Sequence, residues 1–417
     1  MSFFSRSVAT LAIFAFTSCG SDSAEPYDLQ IDTFNVALAG AFIPFEDERR
    51  GPIVEALNAS TSDVVCVQEA WRQSDKDMIL TGTSGTFPHT ASFVHDLDSA
   101  IDDATDQSGN VPPAPTTPPC AGALTESLDA ALSCLQANCS TVPGSEDGQT
   151  TSSACAQDMC IEAVTTLLLG SADSLRCYSC LATSLPTEPF RDMRELCTGE
   201  NNAELAFRGQ SGVMILSKHP IENAEAFVLP GTWNRRVVAE ATVSLPNGSD
   251  VDVYCNHLTP IFDSLAFPYT GPYGDDQVGA DGWAAEQLLQ AEKLIRRVQD
   301  RSGDRPAVIL GDMNAGRAHE DATFNEGLLT LELLESVFTP AVTSDFVPRC
   351  THCPESINPI SSEDTPPVWI DHIFMFNVDA SAVQSTEIVL DQPTVPAGGT
   401  MVPLSDHFAL RSVITID

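Results

Sequence analysis

Positive charge is scarce in this chain: its 417 residues carry 20 Lys+Arg against 58 Asp+Glu, a formal net charge of -38. Such a balance excludes non-specific capture of nucleic acid, which depends on neutralising phosphates with Lys and Arg. Only a local basic patch such as Arg235-Arg236 escapes that exclusion. The bland consequence of the acidity is a solvated surface; the functional one is compatibility with divalent cations. Internal repeats are absent too, so a repeat-built array is not expected. Intrinsic disorder is not the default either, because a hydrophobic fraction of 43% is enough for a proper core, in one large domain or two ordinary ones.

The N-terminus has one Arg within Met1 to Ser7, an apolar run from Val8 to Phe16, and small residues before Cys19. That is the layout of an export signal, too short to span a bilayer as a stable anchor. The residues ending at Cys19 also resemble a bacterial lipoprotein box. Residues 1–19 therefore read as a lipoprotein-like signal, 20–27 as a tether, and Cys19 as a lipid anchor to the membrane of the bacterial cell envelope. Ordinary secretion with an incidental Cys is the alternative.

An exported protein meets an oxidising compartment. Cys120, Cys134, Cys139, Cys155, Cys160, Cys177, Cys180 and Cys197 fall in one stretch, and four disulfides of open connectivity are expected there. Zinc at Cys177-x-x-Cys180 is the sharper alternative. Cys350-x-x-Cys353 reads as a small loop disulfide, with His352 keeping a metal site open. Cys66 and Cys255 lie inside apolar strand patterns and read as buried thiols.

Alternation from Leu29 to Leu38, a helix-like segment at Ile53, Val54 and Leu57, and the apolar run Asp63 to Gln68 predict a β-α-β opening. Residues 96–119, rich in Asp, Ser, Thr and Pro, predict a linker or long loop. Ala121 to Asn138 and Cys155 to Leu169 have helical spacing and are interrupted at Gly144 to Ser153. Small helices of this kind have little core of their own, so 97–200 reads as a Cys-rich helical insertion stapled by disulfides.

The sheet pattern resumes at Gly212 to Ser217. Arg236 to Leu245 and Asp250 to Cys255 flank Pro246-Asn247-Gly248, a hairpin signal. Trp283 to Asp300 is an amphipathic helix, and Ala307 to Leu310 a short buried strand. Further strands are expected around Val368–Phe376, Thr386–Leu390 and His407–Ile416. This alternation predicts an α/β (α+β) domain over 28–417, a mixed sheet system packed by helices.

Polar residues end many of these strands. Asp312 and Asn314 follow an apolar strand, and residues two apart on an extended chain point the same way, so a carboxylate and an amide can face one phosphate. An Asx turn explains the same pair without function. Glu69 could cap the next helix, and His257 could be a satisfied edge residue. Asp371 and His372 point to opposite faces of a regular strand, and Asp371 is the one expected in the site. Taken together, carboxylate, amide and imidazole groups at successive strand ends exceed what capping explains.

The order of Thr33-Phe34-Asn35-Val36, Val67-Gln68-Glu69, Gly212 to Ile221, Gly311-Asp312-Met313-Asn314 and Ser405-Asp406-His407 resembles the endonuclease/exonuclease/phosphatase superfamily (deoxyribonuclease I-like), over roughly residues 28 to 95 and 205 to 417. The resemblance implies a four-layer α-β-β-α sandwich of two mixed sheets flanked by helices, with the site at one edge. It implies metal-dependent phosphoester hydrolysis with Mg2+, or Ca2+/Mn2+, held by oxygen ligands. By the same resemblance Glu69 holds the metal, with Asn35 and Asp406 assisting. Asp312 orients the attacking water, Asn314 bonds the phosphoryl oxygens, and Asp371 orients His407, the base or phosphate clamp. His257 protonates the leaving oxygen or stabilises its charge.

Two positions depart from the pattern. Ala37 stands where some relatives carry an Asp, and the Glu that pairs with the His257 equivalent has no counterpart that can be placed. The superfamily contains nucleases, sugar and inositol phosphatases and sphingomyelinases, so nucleic acid and phospholipid both stay open as substrate. The aromatic loop Ile261 to Asp281 could stack bases, dip into a lipid interface, or simply pack on the domain. A phosphodiesterase is the leading expectation; the alternatives are a sphingomyelinase or phospholipase C-type enzyme, and a catalytically inactive surface binding module.

Overall fold

The computed structural model describes residues 25–94, 117–139, 159–168, 171–188, 192–200, 203–263, 268–362 and 365–417. The expected leader, Cys19, Cys155 and the break at 144–153 lie outside the described residues, as does most of the 96–119 linker.

The chain opens with β1 (Tyr27–Leu38), α1 (Glu46–Asn58) and β2 (Val64–Ala70), and β1 and β2 pair in parallel as a β-α-β unit must. After α2 (Gln73–Thr83) and β3 (His89–Ser92), the described residues form four helices before the next strand: α3 (Leu124–Cys139), α4 (Ile161–Leu168), α5 (Ala172–Thr187) and α6 (Met193–Gly199). Then come β4 (Met214–Ser217), β5 (Ile221–Leu229), β6 (Arg236–Ser244), β7 (Asp250–His257), α7 (Gly279–Ser302), β8 (Ala307–Asp312), α8 (Leu328–Glu335), β9 (Thr339–Pro340), β10 (Asp371–Phe376), β11 (Val383–Val389), the small hairpin β12 (Val395–Ala397) and β13 (Thr400–Val402), and β14 (Ala409–Ile416).

Two six-stranded sheets result, ordered β11-β14-β1-β2-β4-β3 and β5-β6-β7-β8-β10-β9. Their facing sides form the central core, where Leu29, Ile31, Val64 and Ile215 of one sheet meet Val253, Val308, Leu310 and Ile373 of the other. On the outer face of the first sheet, Ile53, Leu57 and Ile79 of α1 and α2 pack against Phe34, Val65 and Val67. On that of the second, Leu294, Val298, Leu331 and Leu334 of α7 and α8 pack against Val238, Tyr254 and Ile309. This is the expected four-layer sandwich, because each sheet must cover both faces.

The hairpin forms where Asn247-Gly248 predicts it, with Gly248 at φ 88, a conformation in which a Cβ is costly. The helices described between β3 and β4 gather a separate cluster of Leu128, Leu132, Leu135, Leu181 and Leu196. Cys120–Cys177, Cys134–Cys160 and Cys180–Cys197 are disulfides, and Cys139 is disulfide-bonded as well. That excludes zinc at Cys177 and Cys180. The cluster reaches the main body through Trp233, Tyr269 and Trp283.

One expectation is overturned. Cys66 and Cys255 are not thiols but a disulfide, with Cα atoms 5.3 Å apart across the sandwich. That separation suits a disulfide. Apolar patterning reveals that both strands are buried, but not that β2 and β7 face each other from different sheets.

Candidate active site

Every expected site residue reaches one edge of the sandwich, because the strands that carry them end or begin there. Parallel pairing of β7 and β8 puts His257 opposite Asp312, and antiparallel pairing of β8 and β10 puts Asp371 opposite Asp312. Asn35 lies near the end of β1, beside a register shift between Asn35 and Leu38, and Glu69 near the end of β2. Glu69 has a left-handed backbone, φ 59, as does Ala37, φ 50. Non-glycine residues held this way mark positions the surrounding structure over-determines, often functional ones.

Asp312 is the hub. Its Oδ2 accepts a hydrogen bond from Asn35 Nδ2 at 3.0 Å and lies 3.5 Å from His257 Nε2 and 3.7 Å from His407 Nε2. Its Oδ1 accepts from the Asn314 backbone N–H at 2.9 Å. Asn314 has φ 46, so the chain leaves the strand in an Asx turn, and its Nδ2 donates to Leu258 O at 2.9 Å. The Asx turn that accounts for this motif locally is thus present, and it leaves Asp312 beside both imidazoles. Gly311 before it is required sterically, since a Cβ there would sit 2.0 Å from Asn256 O. From α7, the buried Gln287 donates to Asn314 O at 2.7 Å and Thr259 O at 2.8 Å, fixing both loops behind the site.

Asp371 bonds His407 Nδ1 at 2.8 Å, while His372 turns away to Ala315 O, also at 2.8 Å, as strand alternation predicts. Ser405 locks the last motif onto β1: its hydroxyl donates to Asn35 O at 2.6 Å and accepts from His407 N at 3.1 Å. The buried Arg49 spends its donors on carbonyls, those of Val36 and Leu404 at 3.0 Å among them.

Electrostatics follow from burial and from crowding of charge. Burial, then the neighbouring Asp371, pushes Asp312 up to about 8. Burial and the charge of Asp406 raise Glu69 above the usual carboxylate range. Burial also opposes ionisation of Asp406, but His352, His407 and Arg49 outweigh it and hold this carboxyl low. For His257, burial followed by Arg236 and His407 lowers the imidazole well below its ordinary value, and its Nδ1 has no partner among the described residues. No Glu bonds that Nδ1 among the described residues; the Glu that lies near the ring is Glu69, 3.9 Å from Nε2.

His407 is the opposite case. Burial disfavours its charge, yet Asp371 and Asp312 outweigh burial and raise it well above the ordinary range. A cation held this way stabilises the fold fully below the unfolded value of about 6.5, and that contribution fades as pH rises through the folded value. In the presence of chelator, Asp371→Asn should therefore melt furthest below the wild type at mildly acidic pH and converge on it under alkaline conditions. A gap constant from about pH 6 to about pH 10 would contradict this assignment.

Glu69, His257, Asp312, Asn314, Asp406 and His407 line a cavity of about 880 Å³, and Asn35 and Asp371 support them through hydrogen bonds to Asp312 and His407. Its lining adds residues that motif reading did not assign a role there: Trp71, Arg236, Glu326 and His352. Arg236 could have been found, because the hairpin register Val238↔Asn256 carries the start of β6 alongside the end of β7. Its guanidinium lies 5.5 Å from the Trp71 ring centroid and donates to His257 O at 3.4 Å. The apolar side of the cavity includes Phe42, Ile43, Phe207, Trp233, Ile261 and Phe262, and the helical insertion contributes Thr183 from α5.

The oxygen donors fit a hard divalent cation. Glu69 and Asp406 are carboxylates close enough for one to raise the other, and Arg49, the nearby cation, is committed to carbonyl oxygens. Side chains in two groups, His352, Asp406 and His407, and Asp312, Asp371 and His407, also have ligand atoms within 4.8 Å of one another.

Comparison with known proteins places this geometry. Curated proteins yield no match. Among solved structures, SmcL is 14% identical, with a TM-score of 0.51 over 93% of this chain and 99% of that one. Beta toxin 275-280 from Staphylococcus aureus is also 14% identical, with a TM-score of 0.51 over 92% and 99%. Sphingomyelinase C from Streptomyces griseocarneus is 14% identical, with a TM-score of 0.48 over 93% and 99%. At such identities the likeness to the first two is one of fold. Residues 33–407, which contain every strand end described above from Asn35 to His407, match the Endonuclease/Exonuclease/phosphatase family, and the chain belongs to this family of phosphoester-hydrolysing enzymes.

Proposed function

We propose that this protein is a metal-dependent phosphodiesterase whose substrate carries one phosphodiester beside an apolar group, a phospholipid rather than nucleic acid. The observation that carries the substrate reading is the cavity lining: among the described lining residues Arg236 is the only Arg or Lys, and it shares the lining with apolar and aromatic side chains, Phe42, Phe207 and Phe262 among them. One guanidinium matches one phosphate charge. A nucleic-acid strand would need a track of cations, and the chain's balance of -38 does not favour one.

Glu69 and Asp406, with Asn35 beside them, would hold the cation, which supplies charge neutralisation at the phosphoryl oxygens. Asp312, buried and raised to about 8, takes the proton of the attacking water. Asn35 and the Asn314 N–H fix its carboxylate. His407, kept charged by Asp371, clamps a phosphoryl oxygen. His257 is held neutral, so it donates a hydrogen bond from Nε2 to the leaving oxygen, and the positive charge there comes from Arg236. Asn314 keeps this edge of the cavity in shape and offers its remaining N–H to the phosphoryl group. The leader supports export with attachment through Cys19.

The test is Mg2+- and Ca2+-dependent hydrolysis of sphingomyelin vesicles, plasmid DNA and bis-p-nitrophenyl phosphate by the oxidised protein. We expect vesicle cleavage and little DNA cleavage. Arg236→Ala should lower kcat/KM by roughly 10- to 100-fold, the scale of one lost charge-assisted hydrogen bond, with partial retention in Arg236→Lys. Efficient DNA cleavage would reverse the substrate reading, and silence on all three with any metal would favour a binding module on this scaffold.

A further inference from the structure

The Cys350–Cys353 disulfide closes a four-residue loop in which His352 lines the site and Thr351 bonds the segments behind it. Thr351 ties together the two segments that supply the Asp371–His407 pair. Its hydroxyl oxygen accepts from the Ile370 N–H at 3.1 Å and the Asp371 N–H at 3.2 Å, while its carbonyl accepts from Phe408 N at 2.8 Å. His352 adds a second seam. Its N–H donates to Val368 O at 3.1 Å and its carbonyl accepts from Val368 N at 3.0 Å. The His352 ring stacks on His407, with centroids 4.7 Å apart and planes inclined by 14°. Its Nε2 lies 3.5 Å from Asp406 Oδ2. Near-parallel rings do not converge on a shared ion, so the stack is better suited to holding His407 than to chelating with it.

We propose that the disulfide-closed loop is a splint registering Asp371 against His407, and that His352 is a positioning residue for Asp406 and the face of His407. Backbone bridges already pair His352 with Val368 and with His407, and the covalent closure of so short a loop restricts how far Thr351 and His352 can move away from both segments. The other cysteines in the described residues lie in the insertion or between the sheets and touch neither partner of the pair. The activity arm of the test rests on the phosphodiesterase reading above; the exchange arm does not.

Two variant sets test this on the full chain. Amide hydrogen exchange at Asp371 and Phe408 should quicken at least about 10-fold in Cys350→Ala/Cys353→Ala, and not in Cys134→Ala/Cys160→Ala, which cuts a disulfide in the insertion. His352→Ala should lower kcat by roughly 10- to 100-fold, the usual effect of removing the partner of a ligand, without moving KM or melting temperature. His352→Gln, which keeps a donor near Asp406, should restore most of that loss. Unchanged exchange in the Cys350/Cys353 variant overturns the splint, and equal losses in Ala and Gln overturn the role of His352. If the wild type hydrolyses nothing while exchange responds as expected, the splint stands and the functional reading falls.

Discussion

Asp312→Asn should fold, melt no lower than the wild type, and lose hydrolysis by at least ~10²–10⁴-fold, the range for a positioned acid or base. The side chain is buried and its ionisation is opposed by burial and by Asp371. A carboxyl raised this way costs the native state stability as pH rises above its unfolded value of about 4, and in full above its folded value of about 8, so a neutral amide of the same shape relieves the fold at neutral and alkaline pH. The same amide cannot take a proton from water. Opposite changes in melting temperature and kcat are therefore the signature of a site residue, whereas a residue needed only for packing would lower both. Measuring both between about pH 6 and about pH 9 decides the matter. Retained hydrolysis would remove Asp312 from the mechanism and with it the roles assigned around it.

Cys66→Ala/Cys255→Ala should cost the most stability of any change away from the pocket. The disulfide joins residues 189 apart in the sequence. Chain-entropy arithmetic for a loop of that length gives about 5 kcal/mol, with unfolded-state structure and native strain as the usual reasons for less. Both sulfurs are buried in the inter-sheet core, so truncation also leaves a small void. Position makes the effect functional as well: Cys66 is three residues before Glu69 on β2, and Cys255 two before His257 on β7. Denaturant unfolding of the oxidised double variant measures the loss. A change under about 1 kcal/mol would mean that sheet packing alone holds the two strands together.

The fold was largely legible because its local signals agree. Helical spacing over Trp283 to Asp300, the Asn247-Gly248 turn and the apolar runs at Asp63 to Gln68 and Ala307 to Leu310 each name their element, and only the ends move. The strand-terminal polar residues were legible for the same reason: a buried strand that stops at Glu69 or Asp312 delivers its last side chain to an edge. Pairing across space was not legible. Neither the Cys66–Cys255 link nor the stack of His352 on His407 has a periodicity, because each joins segments that only the finished sandwich brings together. Arg236 fell between these cases. The hairpin register determines its place, but its role depends on Trp71 and His257, which other strands supply.

The Cys66–Cys255 bond also gives the chain a covalent ring, from β2 to β7, that encloses α2 to α6 and β3 to β6. Any single proteolytic cut inside that ring, the long stretch between β3 and β4 included, opens it without producing two fragments. Glu69 and His257 stay on one molecule, and the strands that carry them keep a tether two or three residues long. For a protein read as exported among extracellular proteases, the helical insertion can then vary in length or be nicked without separating the halves of the site.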